Sequence, residues 1–170
     1  MNNVMYQKDL VELFGDPRDS SFANDYKTVM DFSEFAAYFG HVLDYEGNQW
    51  SCKIYGNYVL EDPLRGALRR ICERGLASEL HSYDGCFNIR KMKGGNSLSV
   101  HSWGLAVDFN AAENPFGGDV ALSDEFILCF AECGFEAGAL WGTPDGMHFQ
   151  LPLTSNKWLT STNPLRPRVG

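Results

Sequence analysis

Long apolar runs and an excess of positive charge are both missing from this chain of 170 residues. No stretch approaches the ~20 apolar residues that a membrane-spanning helix needs, so we expect no membrane insertion. The 14 Lys and Arg residues are outnumbered by 22 Asp and Glu residues, which gives a formal net charge of −8. Because phosphate-rich partners bind to basic patches, this balance argues against a nucleic-acid partner.

The amino-terminal residues 1–9 lack the basic start and the apolar stretch of a secretory signal. We therefore expect synthesis in the cytoplasm. A substrate outside the membrane would then require some other agent to release the protein.

Paired cysteines are also missing, because the five cysteines are odd in number and irregularly spaced. This pattern is not typical of a disulfide framework. Cys129 and Cys133 lie one helical turn apart and could share a metal, but no second pair completes a zinc knuckle. The sequence therefore predicts buried free thiols.

No repeat, low-complexity block or linker divides the chain, which predicts a single domain over 1–170. Its motif-bearing core spans about 62–152, and 153–170 is predicted to be an extended tail. The predicted helices are 7–14, a second one from Asp62 as cap and Pro63 as first residue to near Gly75, and a third from Ser123 to Gly134. Strand-like segments are 50–60, with Gly56-Asn57 as a tight turn, 105–108 and 147–151. These elements predict an α+β fold, with helices packed on one side of a small antiparallel sheet.

Two histidines and an aspartate stand out against this background. His101 follows a polar turn, while Asp108 and His148 each lie between apolar neighbours on a predicted strand. A buried carboxylate is costly unless it binds a metal or a strong donor. If Gly104 lets the backbone turn, all three side chains could reach one ion and leave a fourth position for water.

The ordinary alternatives remain open on spacing alone, because the compact HExxH motif is absent. His148 could be a satisfied core histidine, and Asp108 could cap a turn or pair with an arginine. Asp145 lies three residues before His148, where its carboxylate could take a proton from metal-bound water without ligating the metal.

Two motifs carry a resemblance to a known family. They are Ser99-x-His101-x-x-Gly104-x-Ala106-x-Asp108 and Asp145-x-x-His148-Phe149. Together they resemble the zinc peptidase family of D-alanyl-D-alanine carboxypeptidases, D-Ala-D-Ala dipeptidases and L-alanyl-D-glutamate endopeptidases, with phage endolysins of the last activity the most similar in motif. The segment 83–95 also resembles the family's approach to a substrate-binding arginine.

The resemblance implies one zinc ion per chain, located at the sheet and held by His101, Asp108 and His148. It implies that Asp145 is the general base and acid, and an Asp here favours the endopeptidase branch because the other branches tend to have Glu. Arg90 would face the scissile carbonyl and stabilise its oxyanion.

Three further residues, Ser99, Trp141 and Trp103, are also expected near the substrate. Ser99 would bond substrate or hold its loop, and Trp141 and Trp103 would wall the cleft, although large aromatic side chains near a site often belong to the core. A basic loop at the surface is the alternative for Arg90.

The expected function is therefore hydrolysis of peptidoglycan stem peptides by a monomeric enzyme. The preferred prediction is an L-alanyl-D-glutamate endopeptidase. The alternatives are a D-Ala-D-Ala carboxypeptidase or dipeptidase, and a non-catalytic zinc-containing module that binds the wall or builds a virion. The enzyme would act on the cell wall after release during phage lysis or as part of a virion.

Overall fold

A computed structural model describes residues 3–152 of the chain, so the predicted tail at 153–170 lies outside the described residues. The helices and strands follow one another as α1 (Asn3–Phe14), α2 (Ser20–Tyr26), β1 (Lys27–Asp31), β2 (Lys53–Asn57), α3 (Glu61–Glu73), β3 (Tyr83–Gly85), β4 (Ala106–Phe109), α4 (Asp124–Ala131), β5 (Glu136–Ala137) and β6 (His148–Gln150). Within the described part, none of the helices has the length and apolar character needed to cross a membrane.

The central element is a four-stranded antiparallel sheet with the strand order β3-β4-β6-β5. A separate antiparallel pair is formed by β1 and β2. In the central sheet, Val107 is opposite Phe149 and Asp108 is opposite His148. Because side chains alternate along a strand, each of these pairs lies on its own face of the sheet.

The helix-bearing face is apolar. Phe130 of α4 stacks on Phe149 of β6 with ring centroids 3.9 Å apart, and it also contacts Phe109 of β4 at 5.8 Å. All three rings are fully buried. Asp108 and His148 are thereby left on the opposite face, which confirms the predicted α+β fold with helices against a small sheet.

The predicted helices all exist, although each begins at a residue other than the predicted one. The first starts at Asn3 rather than residue 7. The second starts at Glu61, so Asp62 is a residue of the first turn and not its cap. Pro63 remains compatible with the helix because the first turn has no intrahelical acceptor for its missing N–H. The third starts at Asp124, one residue after the predicted Ser123, which caps α4 with its side chain accepting from the backbone N–H of Phe126.

The predicted turn at Gly56-Asn57 is wrong, since both residues belong to β2 and pair with Thr28 and Lys27 of β1. The sequence had given no signal for β1, because its residues 27–31 alternate only weakly between apolar and polar. The cysteine prediction is confirmed: all five thiols are free, and only Cys133 is partly exposed.

Candidate active site

The first histidine of the site lies on a short 3-10 helix, Val100–Trp103, that precedes β4. The hydroxyl of Ser99 caps this helix by accepting the N–H of His101 at 3.3 Å. Gly104 ends it with a left-handed φ of 66°. A side chain at Gly104 would collide with the backbone of β2, since a Cβ there would lie 2.6 Å from the nitrogen of Asn57. Glycine therefore allows the sharp turn that brings His101 back over Asp108.

Three atoms that could ligate a metal lie close together in a small triangle. Nε2 of His101 lies 3.1 Å from Oδ1 of Asp108 and 3.1 Å from Nδ1 of His148, and the third side of the triangle measures 3.3 Å. Metal–ligand distances of ~2.0–2.1 Å in a tetrahedral zinc site imply ligand separations of about 3.3 Å. The triangle therefore has the size of one face of such a site.

The outer nitrogens of both rings are hydrogen-bonded in a way that fixes their protonation. Nδ1–H of His101 donates to the carbonyl oxygen of Cys86 at 2.8 Å, and Nε2–H of His148 donates to Oε1 of Gln150 at 2.8 Å. The inner nitrogens then carry lone pairs that point towards each other and towards a carboxylate. Three acceptors at this spacing are stabilised by a cation between them, and a metal ion suits the donor set.

The electrostatics of the triangle agree with this arrangement. Burial raises the pKa of Asp108, but the charges and hydrogen bonds of His101 and His148 outweigh it and hold that pKa well below its usual range. Burial lowers the pKa of His148, and the hydrogen bond and charge of Asp108 reverse this to a net increase. Asp108 is thus ionised at any pH at which the imidazoles can ligate a metal.

Asp145 lies beside the triangle and outside it, with Oδ2 3.9 Å from Nδ1 of His148. Its backbone is held by the carbonyl oxygen of Gly138, which accepts the N–H of Asp145 at 2.9 Å. Burial, helped by the charge of Asp108, raises the pKa of Asp145 in spite of nearby positive groups. A carboxyl group with an increased pKa is suited to accept a proton and later return it.

Asp108, His148 and Asp145 line a cleft of about 370 Å³. The residues predicted to act on substrate all line it: Arg90, Ser99, Trp141 and Asp145. The indole N–H of Trp141 donates to Oε1 of Glu136 at 2.8 Å, and its ring centroid lies 5.3 Å from that of His148. The cleft therefore gathers side chains that are up to 60 positions apart in the chain, from Arg90 to Gln150.

Trp103 does not wall the cleft. Its side chain is fully buried, and its indole N–H donates to the carbonyl oxygen of Gly15 at 2.9 Å. Its role is to hold the end of α1 against the 3-10 helix that carries His101.

Three contributors to the site were not predicted from the sequence. Gln150 follows His148 by two residues on a strand, so period-two alternation could have identified it as a neighbour on the same face. Gly138 gave no such signal, although a Cβ there would contact the Asp145 carbonyl and lie 3.2 Å from the Cβ of His148. The Cys86 carbonyl is a backbone atom, which a sequence pattern does not reveal.

The class of protein follows from this geometry together with one comparison. Residues 93–151 match the model of the family described as D-alanyl-D-alanine carboxypeptidase. The matched segment contains all three triangle residues and Asp145, while Arg90 precedes it. The chain is therefore a zinc metallopeptidase, a hydrolase of peptide bonds.

The match, over residues 93–151, supports the family that the two motifs predicted, whose members are zinc-dependent peptidases acting on peptidoglycan peptides. No curated protein and no solved structure gives a significant match to this chain.

Proposed function

We propose that this protein is an L-alanyl-D-glutamate endopeptidase that hydrolyses peptidoglycan stem peptides with one zinc ion. The observation that carries the proposal is the triangle of His101 Nε2, Asp108 Oδ1 and His148 Nδ1, with the carboxylate of Asp145 next to it in an open cleft.

The donor set favours zinc among common metals. Two imidazole nitrogens and one carboxylate oxygen are typical of catalytic zinc sites, which keep their fourth position for water or substrate. A hard cation such as magnesium prefers six oxygen ligands in an octahedron. Within residues 3–152, this triangle is the only group of three or more such side chains close enough to hold a metal, which supports one ion per chain.

Bound zinc supplies a Lewis acid that polarises the peptide carbonyl and lowers the pKa of water. Asp145 accepts the proton of the attacking water and delivers it to the departing nitrogen. Arg90 donates hydrogen bonds to the carbonyl oxygen as negative charge develops there. Among the described residues, no carboxylate lies within ion-pair distance of Arg90, so its guanidinium is available to a substrate oxygen.

Ser99 and Trp141 are assigned to substrate binding in this proposal. Ser99 is buried at the base of the cleft, where its oxygen already accepts the N–H of His101 and its proton can still be donated to a peptide oxygen. Trp141 is anchored by Glu136 and presents an aromatic wall that can pack against the aliphatic part of a stem peptide.

The prediction of which peptide bond is cut depends on the acidic residue at position 145. An Asp at 145, where other branches of the family tend to have Glu, favours the endopeptidase. A D-Ala-D-Ala carboxypeptidase is the second candidate, because the matched family carries that description. Digesting a defined muropeptide and measuring the fragment masses separates the two. Release of a peptide beginning with D-Glu supports the endopeptidase, whereas loss of a single D-Ala supports the carboxypeptidase.

A non-catalytic zinc module is tested with the same substrate. The Asp145→Ala variant should bind one equivalent of zinc and lose turnover by about 10²–10⁴-fold, the usual contribution of a general base. The His101→Ala variant should lose both zinc and turnover, because it removes a ligand. If the wild-type protein with zinc bound releases no new amino termini, the protein is a non-catalytic zinc module and the enzyme proposal fails.

We also propose that the enzyme works as a monomer on the cell wall, after release in phage lysis or as part of a virion. The similarity of its motifs to those of phage endolysins supports this setting. Light scattering tests the monomer, and clearing of outer-membrane-permeabilised cells by added protein tests action on the wall.

A further inference from the structure

Two basic side chains line the cleft, Arg90 and Lys93. The proposed reaction uses Arg90 at the scissile carbonyl and leaves Lys93 without a role. The chain has a net charge of −8, and the cleft already contains Asp108 and Asp145. A second positively charged side chain in the same cleft therefore needs a physical explanation.

Lys93 is presented by a tight loop between Lys91 and Leu98. The N–H of Met92 donates to the Ser97 carbonyl at 2.9 Å, and the N–H of Gly95 donates to the Met92 carbonyl at 3.2 Å. The Lys93 ammonium is exposed, and within residues 3–152 no carboxylate lies within ion-pair distance of it. The ammonium is therefore positioned without being neutralised.

The contact of Lys93 is an aromatic ring on the opposite loop. Its Nζ lies 4.8 Å from the centroid of Phe116, whose side chain also lines the cleft and is 43% exposed. A cation–π contact with an exposed phenylalanine is weaker than a charge-assisted hydrogen bond to a carboxylate. An anionic ligand can therefore replace the ring as the partner of the ammonium, because the lost cation–π contact is the weaker interaction.

The loop of Phe116 is attached to the loop of Asp145. The N–H of Gly117 donates to the Pro144 carbonyl at 2.7 Å, and Asn114 packs directly against Gly146. Lys93 thus lies on the side of the site where the proposed general acid protonates the departing nitrogen.

We infer that Lys93 is a specificity-determining residue that binds the free α-carboxylate of the residue supplying this nitrogen. The inference rests on the proposed function. For the L-Ala–D-Glu bond, this group is the α-carboxylate of the γ-linked D-Glu, which lies one carbon atom from the departing nitrogen. A site that pairs with it prefers stem peptides whose D-Glu is free over those whose D-Glu carries an α-carboxamide.

Two peptides test the inference: N-acetyl-L-Ala-γ-D-Glu-L-Lys and the same peptide with the D-Glu α-carboxylate converted to a carboxamide. For the free carboxylate, Lys93→Met should raise KM about tenfold with kcat within about twofold, because the ion pair is equally present in the ground and transition states. For the carboxamide, wild type and Lys93→Met should differ in KM by less than about twofold. Lys93→Arg should restore most of the lost affinity.

Lys91→Met is the matched control, because it removes an exposed lysine from the same loop without touching the cleft. It should leave both KM values unchanged. An unaltered KM for Lys93→Met on the free carboxylate, or an equal increase on both peptides, overturns the inference. Wild-type protein that cuts neither peptide rejects the proposed function together with the inference, and this outcome is recognised before any variant is measured.

Discussion

Replacing Gly138 with alanine should misplace Asp145 while leaving the metal ligands in the chain. A Cβ at this position contacts the Asp145 carbonyl oxygen, and it lies 3.1 Å from the Cβ of Asp145 and 3.2 Å from the Cβ of His148. Carbon atoms pack at ~3.5–4.0 Å, so the Asp145 loop must move by about 0.5–1 Å.

A displacement of this size should be visible mainly in turnover. A misplacement of ~1 Å at a reacting group costs roughly 100-fold in rate, so kcat on a stem peptide should fall by about that factor. Zinc content should fall much less than turnover, because the new Cβ meets the Asp145 carbonyl oxygen most closely and meets the ligand His148 only at its Cβ, 3.2 Å away. The assay is single-turnover hydrolysis of a muropeptide combined with metal analysis of the same sample.

The control is Gly40→Ala, since a Cβ at Gly40 meets only the tip of Gln49 at 4.0 Å. This variant should retain wild-type turnover. If Gly138→Ala folds, binds zinc and turns over within about twofold of wild type, then the placement of Asp145 does not limit catalysis and its assigned role is wrong.

Three further predictions follow from the contacts around the site and the core. Gln150→Leu removes the acceptor of the His148 Nε2–H and should weaken zinc binding by about 10–100-fold. Competition with a chromogenic chelator measures the affinity, and an unchanged value would show that this hydrogen bond does not orient the ring. Ser123→Ala removes the cap of α4 and should lower the free energy of unfolding in urea by about 1 kcal/mol with kcat unchanged; a loss of activity at constant zinc content would contradict this purely structural role. Stripping the metal should lower the unfolding free energy by about 4 kcal/mol relative to protein in zinc at a thousandfold excess over Kd, and identical melting curves would exclude a metal held by the native state.

The sequence alone was sufficient for some local features of this protein, although not for β1 or the course of β2. The start of helix α4 was predicted to within one residue, because Ser123 and the acidic first turn are local signals. The strands that carry Asp108 and His148 were also predicted, since an isolated polar residue within a short apolar run is visible without knowledge of the fold. The resemblance of the two motifs to a zinc peptidase family, rather than their spacing alone, then indicated which polar residues share a site.

Only the tertiary structure decided how these pieces face one another. The register that puts Asp108 opposite His148 depends on pairing between strands about 40 residues apart, which local patterns do not encode. The hydrogen bond from His101 to the Cys86 carbonyl, the space that Gly138 leaves for Asp145 and the contact of Lys93 with Phe116 arise in the same way. Each is a contact between segments distant along the chain, and packing of the whole domain, not the propensity of any segment, determines which of them meet.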